Sequence, residues 1–185
     1  MSKFSCIVAA CENRGIGING DLPWKLKHEL KYFSRMTKKV LDADKRNAVI
    51  MGRKTYFGVP ETKRPLPERL NIVLTRNSSS YTFPSDVLVC KSLQEALHKL
   101  DTTDYGKDIE NIWIVGGSSV YKEAMESARC HRVYLTEIKK HFECDAFFPE
   151  IPKSFAIVAN DEDVPSEVQE ENGIPYEYKI YEQKH

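Results

Sequence analysis

The sequence predicts an α/β fold built on a mixed, largely parallel sheet with helices on both faces. Three observations predict it. Short β-rich runs recur along all 185 residues, helical patterns fall between them, and the final run alternates with period two. Two runs, Ala48–Met51 and Ile112–Val115, are almost wholly apolar, as strands covered on both faces are. No repeat, low-complexity tract or linker divides the chain, so residues 1–185 are read as one domain.

Strands are expected at Ser5–Ala10, Ala48–Met51, Leu70–Thr75, Val87–Cys90, Ile112–Val115, Val133–Ile138, Ala156–Ala159 and Tyr176–Tyr181. In the last, Tyr176, Tyr178 and Ile180 share one side of an antiparallel strand whose other face is wetter. A helix over Leu26–Thr37 carries Leu26, Leu30, Phe33 and Met36 as one buried stripe. A short helix follows Gly52. Ser92-Leu93-Gln94-Glu95 is a capping box that opens a helix through Leu100: the serine serves a free amide and the glutamate reaches back. Another helix starts after Gly116-Gly117, with Ser118 or Ser119 as its cap and Val120, Tyr121, Ala124 and Met125 as its apolar face.

Composition excludes several classes of function. With 27 basic and 27 acidic residues and 41% hydrophobic ones, disorder is ruled out, and no charge excess calls for nucleic acid or an anionic membrane as partner. No apolar run approaches the ~20 residues of a membrane span, and Glu12 and Arg14 interrupt any signal peptide at the start. A cytoplasmic location is expected. Cys6, Cys11, Cys90, Cys130 and Cys144 are odd in number and never form Cys-x-x-Cys, so they are read as reduced thiols. The histidines show no metal-ligand spacing, so no metal site is expected.

Ligands of α/β proteins bind at the carboxyl ends of buried strands. Ile112–Val115 runs into Gly116-Gly117-Ser118-Ser119, where glycines admit a ligand to the backbone and free amides suit phosphate oxygens. A plain turn needing a positive φ explains the glycine pair equally well. Met51-Gly52-Arg53-Lys54-Thr55 and Leu74-Thr75-Arg76-Asn77 add cations and hydroxyls at two more strand ends. Singly, such cations are solvated surface charge. Three ends together suggest a nucleotide with several phosphates, open to one on the ribose.

Glu29 falls inside the apolar stripe of its helix, where a carboxylate is costly unless paired. It either snorkels to water from the stripe's edge or serves as a pocket acid for a ligand with paired N–H donors. The segment Gly15–Trp24 holds three glycines ahead of Pro23 and is read as mobile and outside the core. It is either a lid or an ordinary surface loop anchored by Trp24.

Together these residues resemble the dihydrofolate reductase family over essentially the whole chain. The specific parts are Gly17-Ile18-Asn19-Gly20-Asp21-Leu22-Pro23-Trp24, Ile50-Met51-Gly52-Arg53-Lys54-Thr55 and Trp113-Ile114-Val115-Gly116-Gly117-Ser118-Ser119-Val120-Tyr121. Phe147-Phe148-Pro149-Glu150 and Val168-Gln169-Glu170-Glu171 look like the eukaryotic branch. The resemblance implies an eight-stranded sheet with about four helices, a monomer, and NADPH and dihydrofolate held in one cleft. The implied reaction makes tetrahydrofolate for one-carbon metabolism and thymidylate and purine synthesis, with folate and antifolate inhibitors as further ligands.

By that likeness Leu22, Trp24, Glu29 and Thr136 form the catalytic set. Glu29 grips the pterin's amino group and ring N–H, Thr136 supports it and shares a water, and Trp24 holds a second water. Substrate contacts are implied at Ile7, Val8, Ala9, Leu30, Phe33, Val59, Leu66, Val115 and Tyr121, with Arg69 pairing the α-carboxylate of the substrate's glutamate. Cofactor contacts are implied at Ala9, Ile16, Gly20, Asp21, Gly52, Arg53, Lys54, Thr55, Thr75, Arg76, Asn77, Lys91 and Ser92. They continue through Val115, Gly116, Gly117, Ser118, Ser119, Val120 and Tyr121, with a cis Gly116–Gly117 peptide. Glu29 is then expected to polarise the pterin while water delivers the proton to the imine nitrogen. Two rivals remain. A flavin-pathway pyrimidine reductase on the same scaffold needs polar contacts for a ribityl phosphate, and a non-catalytic NADPH-binding module has a disrupted pterin site.

Overall fold

The computed structural model describes all 185 residues, Met1–His185. In chain order the elements are β1 (Phe4–Ala10), β2 (Gly15–Gly17), α1 (Lys27–Lys38), β3 (Arg46–Gly52), α2 (Arg53–Gly58), β4 (Arg69–Leu74) and β5 (Leu88–Cys90). They continue as α3 (Leu93–Thr102), β6 (Ile109–Ile114), α4 (Ser118–Glu126), β7 (Cys130–Ile138), β8 (Ala146–Phe147), β9 (Phe155–Val158), β10 (Gln169–Glu171) and β11 (Ile174–Gln183). All eight strands and four helices expected from the sequence are present. The additions, β2, β8 and β10, are two or three residues long, too short for a period to be counted.

The main sheet is eight positions wide, in the order β10-β11-β7-β1-β6-β3-β4-β5. At its outer edge β10 pairs with the start of β11 and β9 with its end, so two short strands share one position. From β7 to β5 every neighbouring pair is parallel, and β11 runs antiparallel to β7.

Right-handed crossovers turn this strand order into a placement of helices. The chain steps one way across the sheet from β1 through β3 and β4 to β5, then reverses to reach β6 and β7. Helices from the two directions must therefore lie on opposite faces. Leu26, Tyr32, Met36 and Tyr56, at the start of and along α1 and α2, pack with Val49, Met51, Val73 and Trp113. Leu93, Leu97, Ala124 and Met125 of α3 and α4 pack with Ala48, Ile50, Ile72 and Ile114. Successive residues of β3 thus feed two cores, which is why its whole run is apolar.

Three helices start in three different ways. At α3 the Ser92 hydroxyl accepts from the Glu95 amide at 3.1 Å, and the Glu95 carboxylate accepts from the Lys91 amide at 2.6 Å, one residue before the usual target. Ser92→Ala should cost about 1 kcal/mol, read as a fall of roughly 2–4 °C in thermal midpoint. At α4 the cap is Gly117, with no side-chain bond, rather than Ser118 or Ser119. The glycine's conformation already breaks the strand, so both serines fall inside the first turn. At α1 neither Leu26 nor its neighbours offer a cap. Instead the Lys27 and His28 amides both donate to the Glu171 carboxylate at 2.9 Å, from β10. The His28 amide bond leads in holding that carboxyl below its usual range.

The stripe on α1 also differs from expectation. Leu30 is 51% exposed while Tyr32 is buried in the core. The helix lies with one flank over an open cleft, and Leu30 is on that flank.

Candidate active site

The carboxyl ends of β1, β3, β4, β5 and β6 open onto one cleft of about 2300 Å³. There β3 feeds α2 on one face of the sheet while its neighbour β6 feeds α4 on the other, so the loops diverge and leave a crevice. A site for one small molecule usually occupies roughly 300–1,000 Å³, so this cleft has room for two ligands side by side. Nine Lys and Arg side chains line it against four carboxylates. In a chain with equal numbers of each charge, the cleft is where positive potential is concentrated.

Glu29 is the buried acid of this cleft, 6% exposed on α1. The Thr136 hydroxyl on β7 donates to its Oε1 at 3.0 Å. Burial pushes its carboxyl up to about 7, and the Thr136 bond opposes that only in part. No cation contributes to the balance. Of the two readings the sequence leaves open, snorkelling from the stripe's edge does not hold: the carboxylate is buried and lines the cleft, as a pocket acid would, with its second oxygen unused by the chain.

Arg69 is the complementary buried cation, also 6% exposed. Its Nε donates to the Pro67 carbonyl and its Nη1 to the Thr37 hydroxyl, each at 2.8 Å. Burial lowers its pKa from the ordinary arginine value. Asn71, buried on β4, braces the approach to it: its Oδ1 accepts from the Leu66 amide and its Nδ2 donates to the Leu66 and Arg69 carbonyls. One amide side chain therefore fixes both Leu66 and Arg69 at the cleft wall.

The glycine pair makes the positive-φ turn, and it also lies where the ligand reading needs it, on the cleft. Gly116 has φ +128°, the Gly116–Gly117 peptide is cis, and both residues line the cleft. A Cβ on either would lie 3.3 Å from the Thr55 hydroxyl, so glycine lets that hydroxyl and the backbone share one edge of the site. Tyr121 beside them donates its hydroxyl to the Ile7 carbonyl at 2.7 Å and packs edge-on to Phe148.

The segment Gly15–Trp24 is more ordered in its bonding than expected. Gly15–Gly17 pairs with Ala146–Phe147, and Ile18 bridges Asp21 around a tight turn. Asn19 and Gly20 in that turn have φ +51° and +77°, the pattern of a two-residue hairpin turn favoured by Asn-Gly. Asp145 accepts the Asn19 amide at 3.0 Å. Buried Gly15 belongs to the interior: a Cβ there would collide with the Cys144 sulfur.

Almost every expected site residue lines the cleft: Leu22, Ile7, Val8, Ala9, Ile16, Phe33, Val59 and Leu66 as well as the phosphate-suited set. Trp24 and Thr136 do not. Both are buried behind its wall, Thr136 holding Glu29 and Trp24 packed edge-on to Phe142. The Trp24 indole N–H, like that of buried Trp113, has no acceptor within the chain. Lys31, Ser34 and Lys38 were missed as lining residues, although they recur at three- and four-residue spacing on the flank of Leu30. Arg64 and Tyr81 also line the cleft, from loops that offer no period to read. No helix is long and apolar enough to cross a membrane.

Comparison with known proteins agrees with this geometry. Residues 3–183 match the family described as Dihydrofolate reductase. The dihydrofolate reductase of Aedes albopictus is 70% identical over 98% of each chain, and that of Drosophila melanogaster 60% identical over 98% of each. The solved Schistosoma mansoni Dihydrofolate reductase is 34% identical, with a TM-score of 0.86 and 98% of each chain covered. The chain belongs to the dihydrofolate reductase family, the NADPH-dependent enzymes that reduce dihydrofolate to tetrahydrofolate.

Proposed function

We propose that α1 acts as a ruler for the folate substrate, with Glu29 binding the pterin end and Arg69 the glutamate end. The observation that carries this is a pair of buried, unpaired charges in one cleft. Arg69 is bonded to Thr37, eight positions after Glu29 on α1. Eight residues of helix span ~12 Å, so the two sites suit the ends of an elongated molecule, not a bare pterin ring. A carboxylate takes the paired N–H donors of the pterin; a guanidinium takes a carboxylate in bidentate fashion. Leu30, Phe33, Val59 and Leu66 supply the apolar wall between them. The intact acid and cation argue against a non-catalytic module, and a buried cation suited to one carboxylate argues against a ribityl phosphate.

The cofactor's part fits the chain's own residues. Arg53, Lys54, Arg76 and Lys91 line the other half of the cleft, beside the open first turn of α4. They would hold its phosphates, and Gly116–Val120 would sit against its backbone-facing side. Bound NADPH supplies the hydride. Glu29, with a carboxyl near neutrality, holds the pterin in its reactive form and exchanges a proton with solvent, and water carries the proton to the imine nitrogen. The hairpin from Gly15 to Trp24 covers the reacting end and limits bulk water there. We read the chain as a single-domain monomer over residues 1–185, working in the cytoplasm where its five thiols stay reduced.

Absorbance at the NADPH band, followed with and without dihydrofolate, tests the assignment. Dihydrofolate-dependent loss of signal is expected, and its absence would end the enzymatic reading. A second expectation concerns the cations: NADPH should be preferred to NADH, and Arg53→Ser with Arg76→Ser should narrow the preference. Equal use of both cofactors by the unsubstituted enzyme would remove the phosphate role of these residues.

A further inference from the structure

Arg53, the first residue of α2, forms no ion pair within the chain, but it is not loose. Its guanidinium carbon lies 4.6 Å from the centre of the Tyr81 ring. Tyr81 is half-buried and lines the same cleft. Its own ring is held in turn: Phe57 lies 5.6 Å away, Phe83 5.5 Å beyond that, and Tyr56 5.6 Å beyond Phe83. Tyr56 and Phe57 belong to α2, so this aromatic row ties the loop bearing Tyr81 to the helix bearing Arg53.

We infer that Tyr81 is a positioning residue for cofactor choice: by its cation–π contact with Arg53 it presents that guanidinium to the phosphate that distinguishes NADPH from NADH. The inference rests on the assignment of Arg53 to the cofactor's phosphates. A cation–π contact holds the guanidinium over the ring without spending its N–H groups on a chain acceptor, and those are the donors a phosphate needs. An unrestrained arginine loses considerable rotamer freedom when it binds, and one held over a ring has already lost much of it. The other cations of the set differ. Arg76, Lys54 and Lys91 lie over no ring. Arg64 does, at 5.0 Å from Phe57, but it also donates to the Val59 carbonyl at 2.8 Å and so braces its own loop.

The test is KM and kcat for NADPH and for NADH, at saturating dihydrofolate, in Arg53→Ser, Tyr81→Leu, Tyr81→Phe and the Arg53→Ser/Tyr81→Leu double variant. Tyr81→Leu should raise the KM for NADPH about two- to fivefold, the range of an exposed cation–π contact, with the rise confined to NADPH. Tyr81→Phe keeps the ring and should restore the original KM. In the Arg53→Ser background Tyr81→Leu should add nothing. Equal rises for NADPH and NADH, failure of Phe to rescue, or a persisting effect without Arg53 would each overturn the inference. An Arg53→Ser variant that narrows cofactor preference while Tyr81→Leu stays silent would sink the role of Tyr81 alone. If Arg53→Ser itself leaves the preference untouched, the phosphate assignment of Arg53 is wrong.

Discussion

Arg69→Leu is expected to weaken folate binding by about 30-fold or more, and up to several thousandfold, while NADPH binding stays within about twofold. The guanidinium is buried, and within the chain it finds only neutral partners, the Pro67 carbonyl and the Thr37 hydroxyl. Its remaining donors are left for a ligand carboxylate, and their loss leaves that carboxylate without its charged partner. Folding should suffer less than binding. The Thr37 hydroxyl also donates to the Phe33 carbonyl at 2.8 Å, so it keeps a partner when Arg69 is gone. Fluorescence titration with each ligand separately reads the effect. A pteridine lacking the glutamate should bind Arg69→Leu and the parent alike, because it never reaches Arg69. Equal loss of affinity for folate and NADPH would refute the placement of Arg69 at the glutamate end.

The parts of the fold legible in the sequence are those whose cause is local. Buried strands such as Ala48–Met51 announce themselves because both faces need apolar side chains, and Ser92 with Glu95 announces a helix start because the partners are three residues apart. The cap of α1 could not be found this way. Its carboxylate, Glu171, lies 143 residues from the His28 amide it serves, and no period or spacing connects them. The hairpin at Asn19-Gly20 has a local signal, because Asn-Gly favours a tight two-residue turn, but three glycines in one segment suggest mobility as readily.

The site divides along the same line. Glu29 declared itself as a charge inside an apolar stripe, a local contradiction that a pocket resolves. Thr136 and Asn71 carry no such contradiction, because a hydroxyl or amide on a strand is unremarkable until the fold brings its partner near. Leu30 shows the converse. Helical spacing placed it in the core, but the same spacing serves a residue that faces a cleft, and periodicity does not distinguish protein from ligand as the apolar neighbour. Overall charge hid the rest. Equal totals of acids and bases say nothing of where each sign gathers, and here cations outnumber carboxylates in the cleft.

Glu29→Gln is expected to lower turnover with dihydrofolate by at least ~100-fold, about 2.7 kcal/mol of transition-state stabilisation. The amide keeps the size of the side chain and can still accept the Thr136 hydroxyl, but it presents a donor to the N–H edge of the pterin and cannot carry negative charge. NADPH affinity should change little, since the cations proposed to hold the cofactor lie on α2 and the loops after β4 and β5. The stability of the ligand-free chain should move the opposite way. Burial raises the carboxyl of Glu29 from 4.5 to about 7, so between those values the folded chain holds a proton that the unfolded chain releases. Stability from this group is therefore full below pH ~4.5 and declines as pH rises toward 7, by on the order of 3 kcal/mol. Gln does not titrate. Glu29→Gln should thus match the parent in denaturant unfolding at pH ~4.5 and exceed it above pH 7, which separates lost chemistry from lost folding. The pH–rate profile completes the test. Where protonation of the imine limits the variant, acid should restore part of its rate, because protonated substrate bypasses the defect. Stopped-flow measurement of hydride transfer decides the matter: turnover within a few-fold of the parent at neutral pH would remove Glu29 from the mechanism.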